Sequence, residues 1–251
     1  MASETIVNKK FDGDFSVIIT HKISGGYEVI TPIVEDGVKW ETDRQGSPGK
    51  LTFKVYKDKN DGLEFQEGDT VALKYHDDND DWVTLFYGYI FIKKRNKDGW
   101  IEVTAYDQLR YFKNKATYVY TNKTASDVVK MIANDYNLAI GSIDNTSYVI
   151  GSRVEDNQSL FDIIQNALDL TLVSSGELYA LYSDNGKICL RNINDLKTNV
   201  IINEDVAKDF DYTSSIDEET YTEIELFYDN DETNKREYYN TKKKRWYYFN
   251  C

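Results

Sequence analysis

The hydrophobic period of the chain changes twice, and those changes constrain its fold more than any other feature. Up to about residue 112 apolar residues recur at every second position: Leu51, Phe53 and Val55, then Val71, Leu73 and Tyr75, then Ile101, Val103 and Ala105. That is the period of a strand with one buried face. Gly25-Gly26, Asp61-Gly62, Glu67-Gly68 and Asp98-Gly99 fall between the runs as turns. Repeated short strands with such punctuation predict a small barrel or sandwich. Residues 82–92 are nearly continuous in apolar and aromatic side chains. The run is long for one undistorted strand, so Gly88 is expected to mark a bulge or bend.

After Asn114 the period becomes helical. Thr124 followed by Asp127 is a capping box with Asp in place of the commoner Glu. It opens a helix with Val128, Met131, Ile132 and Tyr136 on one face. Ser159 with Asp162 opens a second, whose stripe is Phe161, Ile164 and Leu168. Short strands are expected at 148–150, 178–182 and 187–190, with Asn185-Gly186 as a hairpin turn. Strand text returns at 220–228, 236–239 and 245–249. The fold class is therefore mainly β with an α+β module. A first β-barrel is expected over 1–112, a small α+β module with two capped helices over 113–206, and the start of a second barrel, incomplete, over 207–251.

Charge narrows the choice of partners. The chain carries 30 Lys+Arg against 43 Asp+Glu, a net charge of −13. Such a surface repels phosphate backbones and anionic membranes alike, so nucleic-acid binding through a basic footprint is not expected. No basic segment followed by an apolar run comes after Met1, and no window approaches 18 apolar residues, so no membrane anchor is read here. The cysteines, Cys189 and Cys251, stand alone and make neither a disulfide framework nor a zinc site. A reducing cytoplasm is the expected folding compartment.

A search for chemistry returns little. His21 and His76 are the only histidines, without metal-site spacing, and both read as exposed residues at strand edges or turns. No nucleophile elbow, phosphate loop or dinucleotide fingerprint occurs. Cys189 lies in an alternating run and reads as core. The acidic run Asp77, Asp78, Asn79, Asp80, Asp81 lacks the central Gly and distal Glu of a calcium loop. A solvated hairpin loop, or a contact on another subunit, fits it better, and residues 229–232 read the same way. The 20 Tyr and 4 Trp could be sugar platforms, but core and interface are their commoner uses. Trp246, Tyr248 and Phe249 fall in a run too apolar to stand exposed, which points to burial against another chain. The candidate assembly contacts are thus Trp246, Tyr248, Phe249, Asp77, Asp78, Asp80 and Asp81. No catalytic residue, cofactor or metal site is assigned, and the chain reads as non-enzymatic.

One stretch carries a family likeness. The order Phe86-Tyr87-Gly88-Tyr89-Ile90, then Trp100-Ile101-Glu102-Val103-Thr104-Ala105-Tyr106-Asp107-Gln108-Leu109-Arg110-Tyr111, Asn114-Lys115, and residues 124–129 and 159–164 resembles the XkdQ-like hub proteins. These occur in phage-like elements and contractile phages of Gram-positive bacteria and are relatives of the late-control-D family. The likeness covers about residues 5 to 240. It implies two tail-tube-type barrels flanking an α/β module, and a baseplate hub that adapts a six-fold tail tube to a three-fold central spike. It also implies a homotrimer when complete, in the tail of a virion or tailocin-like particle assembled in the bacterial cytoplasm. The implied partners are the tail tube, the central spike or spike-lysozyme, the baseplate wedge and the tape-measure protein. The stretch completing the second barrel is expected to be missing. The alternative is a cell-wall or carbohydrate-binding module of a phage or surface protein.

Overall fold

The alternating runs become one antiparallel sheet of seven strands. They are β1 (Phe15–Ile23), β2 (Gly26–Ile30), β3 (Lys39–Glu41), β4 (Lys50–Tyr56), β5 (Thr70–His76), β6 (Trp82–Arg95) and β7 (Trp100–Tyr106), in the spatial order β2-β1-β5-β6-β7-β4-β3. A computed structural model describes residues 15–35, 37–57, 63–76, 81–197, 220–221, 225–230, 235–240 and 247–248. The register places Leu51 opposite Ala105, Phe53 opposite Val103 and Val55 opposite Ile101, so every second residue enters one core. Val17, Ile19, Ile30, Phe65, Val71, Leu73, Phe86 and Ile90 complete it. Following β2, Val34 bridges Val55, which brings this segment onto the β4 edge.

Gly88 is needed for a different reason from the one the sequence implied. The register shifts of β6 fall between Leu73 and Lys74 of its partner, leaving Leu85 extra, and between Ile90 and Ile92, leaving Phe91 extra. Gly88 itself pairs regularly with Val71. A Cβ at that position would lie 2.3 Å from the Tyr106 carbonyl oxygen and 2.7 Å from Phe86 Cζ. Close backbone approach, not a bulge, excludes a side chain there.

A 3₁₀ helix, η1 (Gln108–Lys113), leads into the helical half. There β8 (Lys115–Lys123) pairs with β10 (Ile150–Ser159) as a two-stranded ribbon. A second sheet has the order β11 (Tyr179–Asp184), β12 (Lys187–Asn192), β9 (Ile140–Ile143), with β12 and β9 parallel. The helices are α1 (Ala125–Asp135) and α2 (Leu160–Ser175). The first box is complete: Asp127 N–H donates to Thr124 Oγ1 at 3.2 Å and Thr124 N–H to Asp127 Oδ2 at 3.1 Å. At α2 only half of it forms. Asp162 N–H donates to Ser159 Oγ, whose hydroxyl turns to Asp162 Oδ2, while Leu160 N–H is taken by the Asn114 carbonyl.

Val128, Ile132, Phe161, Ile164 and Leu168 are buried in a second core with Leu109, Phe112, Ile188 and Leu190. Cys189 is buried, and burial pushes its thiol pKa up. Asn185 and Gly186 both have positive φ, the backbone a two-residue hairpin turn demands. The ribbon β8–β10 lies outside the strands the sequence implied, apart from its start at Ile150.

The chain divides into two units, Met1–Lys197 and Thr198–Cys251. In the second, β13 (Thr220–Tyr221) pairs with β16 (Tyr247–Tyr248), and β14 (Glu225–Asn230) with β15 (Lys235–Asn240). Arg236 grips Asp229 with Nε and Nη2 at 2.8 and 3.1 Å. The fold is mainly β with two principal helices, as the sequence implied.

Candidate functional site

The stretch that carries the family likeness is the seam between the two cores. Asp107 follows β7 and caps η1: its Oδ1 accepts from Leu109 N–H and its Oδ2 from Gly49 N–H, both at 2.9 Å. Its own N–H donates to the Gly49 carbonyl at 3.0 Å. A Cβ at Gly49 would lie 2.6 Å from Asp107 Oδ2, so a side chain there would have to displace the carboxylate. Asp107 is 5% exposed, and burial pushes its pKa up to about 6 against the pull of the two backbone donors. Gln108 next to it reaches the other way. Its amide donates to the Ala139 carbonyl at 3.1 Å and to that of Gly186, and a Cβ at Gly186 would collide with the Tyr87 ring.

Leu109 and Phe112 then plug the second core, Phe112 edge-on to Phe161. Arg110 lies over the Phe91 and Tyr106 rings. Consecutive residues thus bind the sheet, the α+β module and a surface aromatic cluster. Sequence reasoning passed over Asp107 and Gln108, whose partners lie 58 and 78 residues away.

The other buried polar groups are structural as well. His21 is not the exposed histidine of the sequence reading. Its side chain is 14% exposed and its Nδ1 lies 2.7 Å from Oδ2 of buried Asp69, which also accepts from Gln66 N–H. His76 is half-buried, its ring centroid 3.8 Å from that of Trp82. Glu155, 1% exposed, is held by Arg153 Nε at 3.2 Å and Asn166 Nδ2 at 3.0 Å. Among the described residues no three His, Cys, Asp or Glu side chains are grouped to hold a metal ion. A cleft of about 200 Å³ lies between residues 44–47 and the α2 and β11 side chains Phe161, Gln165, Leu168 and Tyr179.

Of the candidate assembly contacts, Asp77, Asp78, Asp80, Trp246 and Phe249 lie outside the described residues. Asp81 is exposed immediately before β6. Tyr248 sits in β16 opposite Thr220. Three aromatic pairs of the sheet meet edge to face, Tyr56 with Trp100 at 63°, Tyr87 with Tyr89 at 74° and Phe91 with Tyr106 at 77°, while Phe15 and Tyr75 are tilted by 35°.

A two-core β scaffold whose buried polar groups grip its own backbone and side chains is the class of protein this geometry defines. Its fold recurs in the tail protein from Neisseria meningitidis MC58, with a TM-score of 0.60 over 92% of this chain and 68% of that one, at 12% identity. The prophage MuSo2 43 kDa tail protein from Shewanella oneidensis matches with a TM-score of 0.50 over 70% and 52%, at 10% identity.

The YQBQ-like family model matches residues 38–248, and the chain belongs to that family. Protein YqbQ of Bacillus subtilis (strain 168) is 34% identical over 199 residues, 77% of this chain and 59% of YqbQ. The phage-like element PBSX protein XkdQ of the same strain is 33% identical over 163 residues, 63% of this chain and 48% of XkdQ. The chain spans 59% and 48% of these curated relatives' lengths.

Proposed function

We propose that this chain is a structural subunit of a phage or phage-like tail, and that it serves there as the baseplate hub joining a six-fold tube to a three-fold spike. The observation that carries this reading is the family match over residues 38–248, with a relative named for a phage-like element. The fold shared with a tail protein over 92% of the chain supports it. So does the use of buried polar groups: Asp107, Gln108, Asp69 and Glu155 all hold the chain's own groups. The partners of this reading are the tail tube, the central spike, the wedge and the tape-measure protein, and the hub works as a homotrimer.

Gene disruption with complementation tests the role. Loss of the full-length gene should leave particles without baseplates, visible by negative-stain microscopy, and the full-length copy should restore them. Intact tails that no longer adhere to cell walls would instead support the carbohydrate-binding alternative.

A further inference from the structure

We infer that Asn185 and Gly186 form a self-modification site that the seam holds shut: the Asn185 amide becomes a carboxylate when the β11–β12 hairpin lifts from the sheet. The pair is the only Asn-Gly in the chain, and it stands in the turn closed by the Asp184–Lys187 pair. Glycine leaves the nitrogen after an asparagine unshielded by any Cβ. Asn185 is exposed to solvent.

The chemistry needs water alone. The Gly186 backbone nitrogen gives its proton to hydroxide and attacks Asn185 Cγ. The new N–Cγ bond closes a five-membered imide, the Cγ–Nδ2 bond breaks, and Nδ2 takes up a proton and leaves as ammonia. Water then opens the imide at either carbonyl, leaving aspartate or isoaspartate at position 185. An amide and a water have become a carboxylic acid and ammonia, with nothing oxidised or reduced.

The native turn forbids the first step. Positive φ at both residues, 45° and 73°, defines the type I′ form. In that form ψ of the first residue is about +30°, which sets Asn185 Cβ almost opposite the Gly186 nitrogen across the Cα–C bond. The imide ring requires the two to be eclipsed, so closure swings the Asn185–Gly186 peptide through more than a right angle. Two contacts oppose that swing. The Gly186 carbonyl is held by the Gln108 amide. A Cβ on Gly186 would lie 2.6 Å from Tyr87 Cδ1, so the glycine sits hard against that ring. Both contacts belong to the seam, and its opening is what frees the turn. Isoaspartate, with one more backbone carbon and a negative charge, no longer fits a two-residue turn. The pair therefore records each successful opening irreversibly.

Peptide mapping by mass spectrometry, on the intact chain incubated at mildly alkaline pH, tests this. Conversion at Asn185 should be at least about tenfold slower than in a free peptide of residues 182–189. Gln108→Ala should speed it about fivefold, whereas Thr124→Ala, which weakens a cap elsewhere in the module, should leave it unchanged. Should Gln108→Ala fail to fold, Tyr87→Ala removes the other contact and replaces it. Conversion as fast as in the free peptide, or equal acceleration by Thr124→Ala, overturns the inference. So does a seam variant that converts no faster than the unaltered chain.

Discussion

The two cores of the first unit were written in different scripts, and only one is plain. In the sheet every residue of the alternating runs that was expected to face inward, from Leu51 and Phe53 to Val103 and Ala105, is at most 5% exposed except the strand-end residue Tyr75. In the module the helices follow their caps and stripes, yet the ribbon that supports them inverts the usual code. Val119 and Val154, opposite each other in β8 and β10, are 67% and 66% exposed, while Glu155 between the strands and α2 is 1% exposed. A strand with its valine outward and its glutamate inward gives no alternation to read. Periodicity reveals a face only where that face is buried by apolar side chains alone; where a hydrogen-bonded carboxylate does the burying, the signal vanishes.

The largest expected effect asks whether the two cores stand or fall together. Phe112→Ala removes the fully buried ring that η1 drives into the second core, and should cost about 3–5 kcal/mol. Trp40, Trp82 and Trp100 all lie in the sheet half, so in a Trp246→Phe background tryptophan fluorescence reports the first core and helical circular dichroism the second. If the seam couples them, both denaturant midpoints should drop together. A helical transition that moves alone would divide the unit in two.

Gly88→Val probes the sheet from its own side. Its side chain must displace the Tyr106 carbonyl, one residue before Asp107, and the strain should cost about 1–3 kcal/mol. The fluorescence midpoint measures it, and an unshifted midpoint would mean that β6 and β7 part more freely than their register implies.

A smaller effect belongs to the cap of α1. Thr124→Ala should cost about 1 kcal/mol. The Asp127 carboxyl, held by Thr124 N–H, sits below the ordinary carboxylate range. A depressed pKa contributes stability that is present above the unfolded value near pH 4 and is lost as pH falls through the folded one. Melting temperatures between pH 5 and pH 2.5 should therefore fall less steeply in Asp127→Asn than in the unaltered chain. Equal slopes would remove the carboxylate from the cap's contribution.

What was legible is what is local. Thr124 with Asp127 and Asn185 with Gly186 complete their geometry within three residues, and Ser159 with Asp162 forms half of its box there, so sequence displayed them. Gly88 was singled out correctly, but its reason lies in a neighbouring strand, and the pattern of β6 alone could not tell a bulge from a close approach. Asp107 and Gln108 sat in the very stretch that carried the family likeness, and their roles depend on Gly49, Ala139 and Gly186, which the fold alone brings near. His21 was misjudged for the same cause, since Asp69 is 48 residues away.

The central claim, that the chain works by assembly in a tail, is tested most directly on purified particles. Quantitative mass spectrometry of particles produced with the full-length gene should find three copies per particle, and cryo-electron microscopy should place them as a ring at the distal end of the tail tube. Particles that are complete, and contain none of the protein, would contradict it.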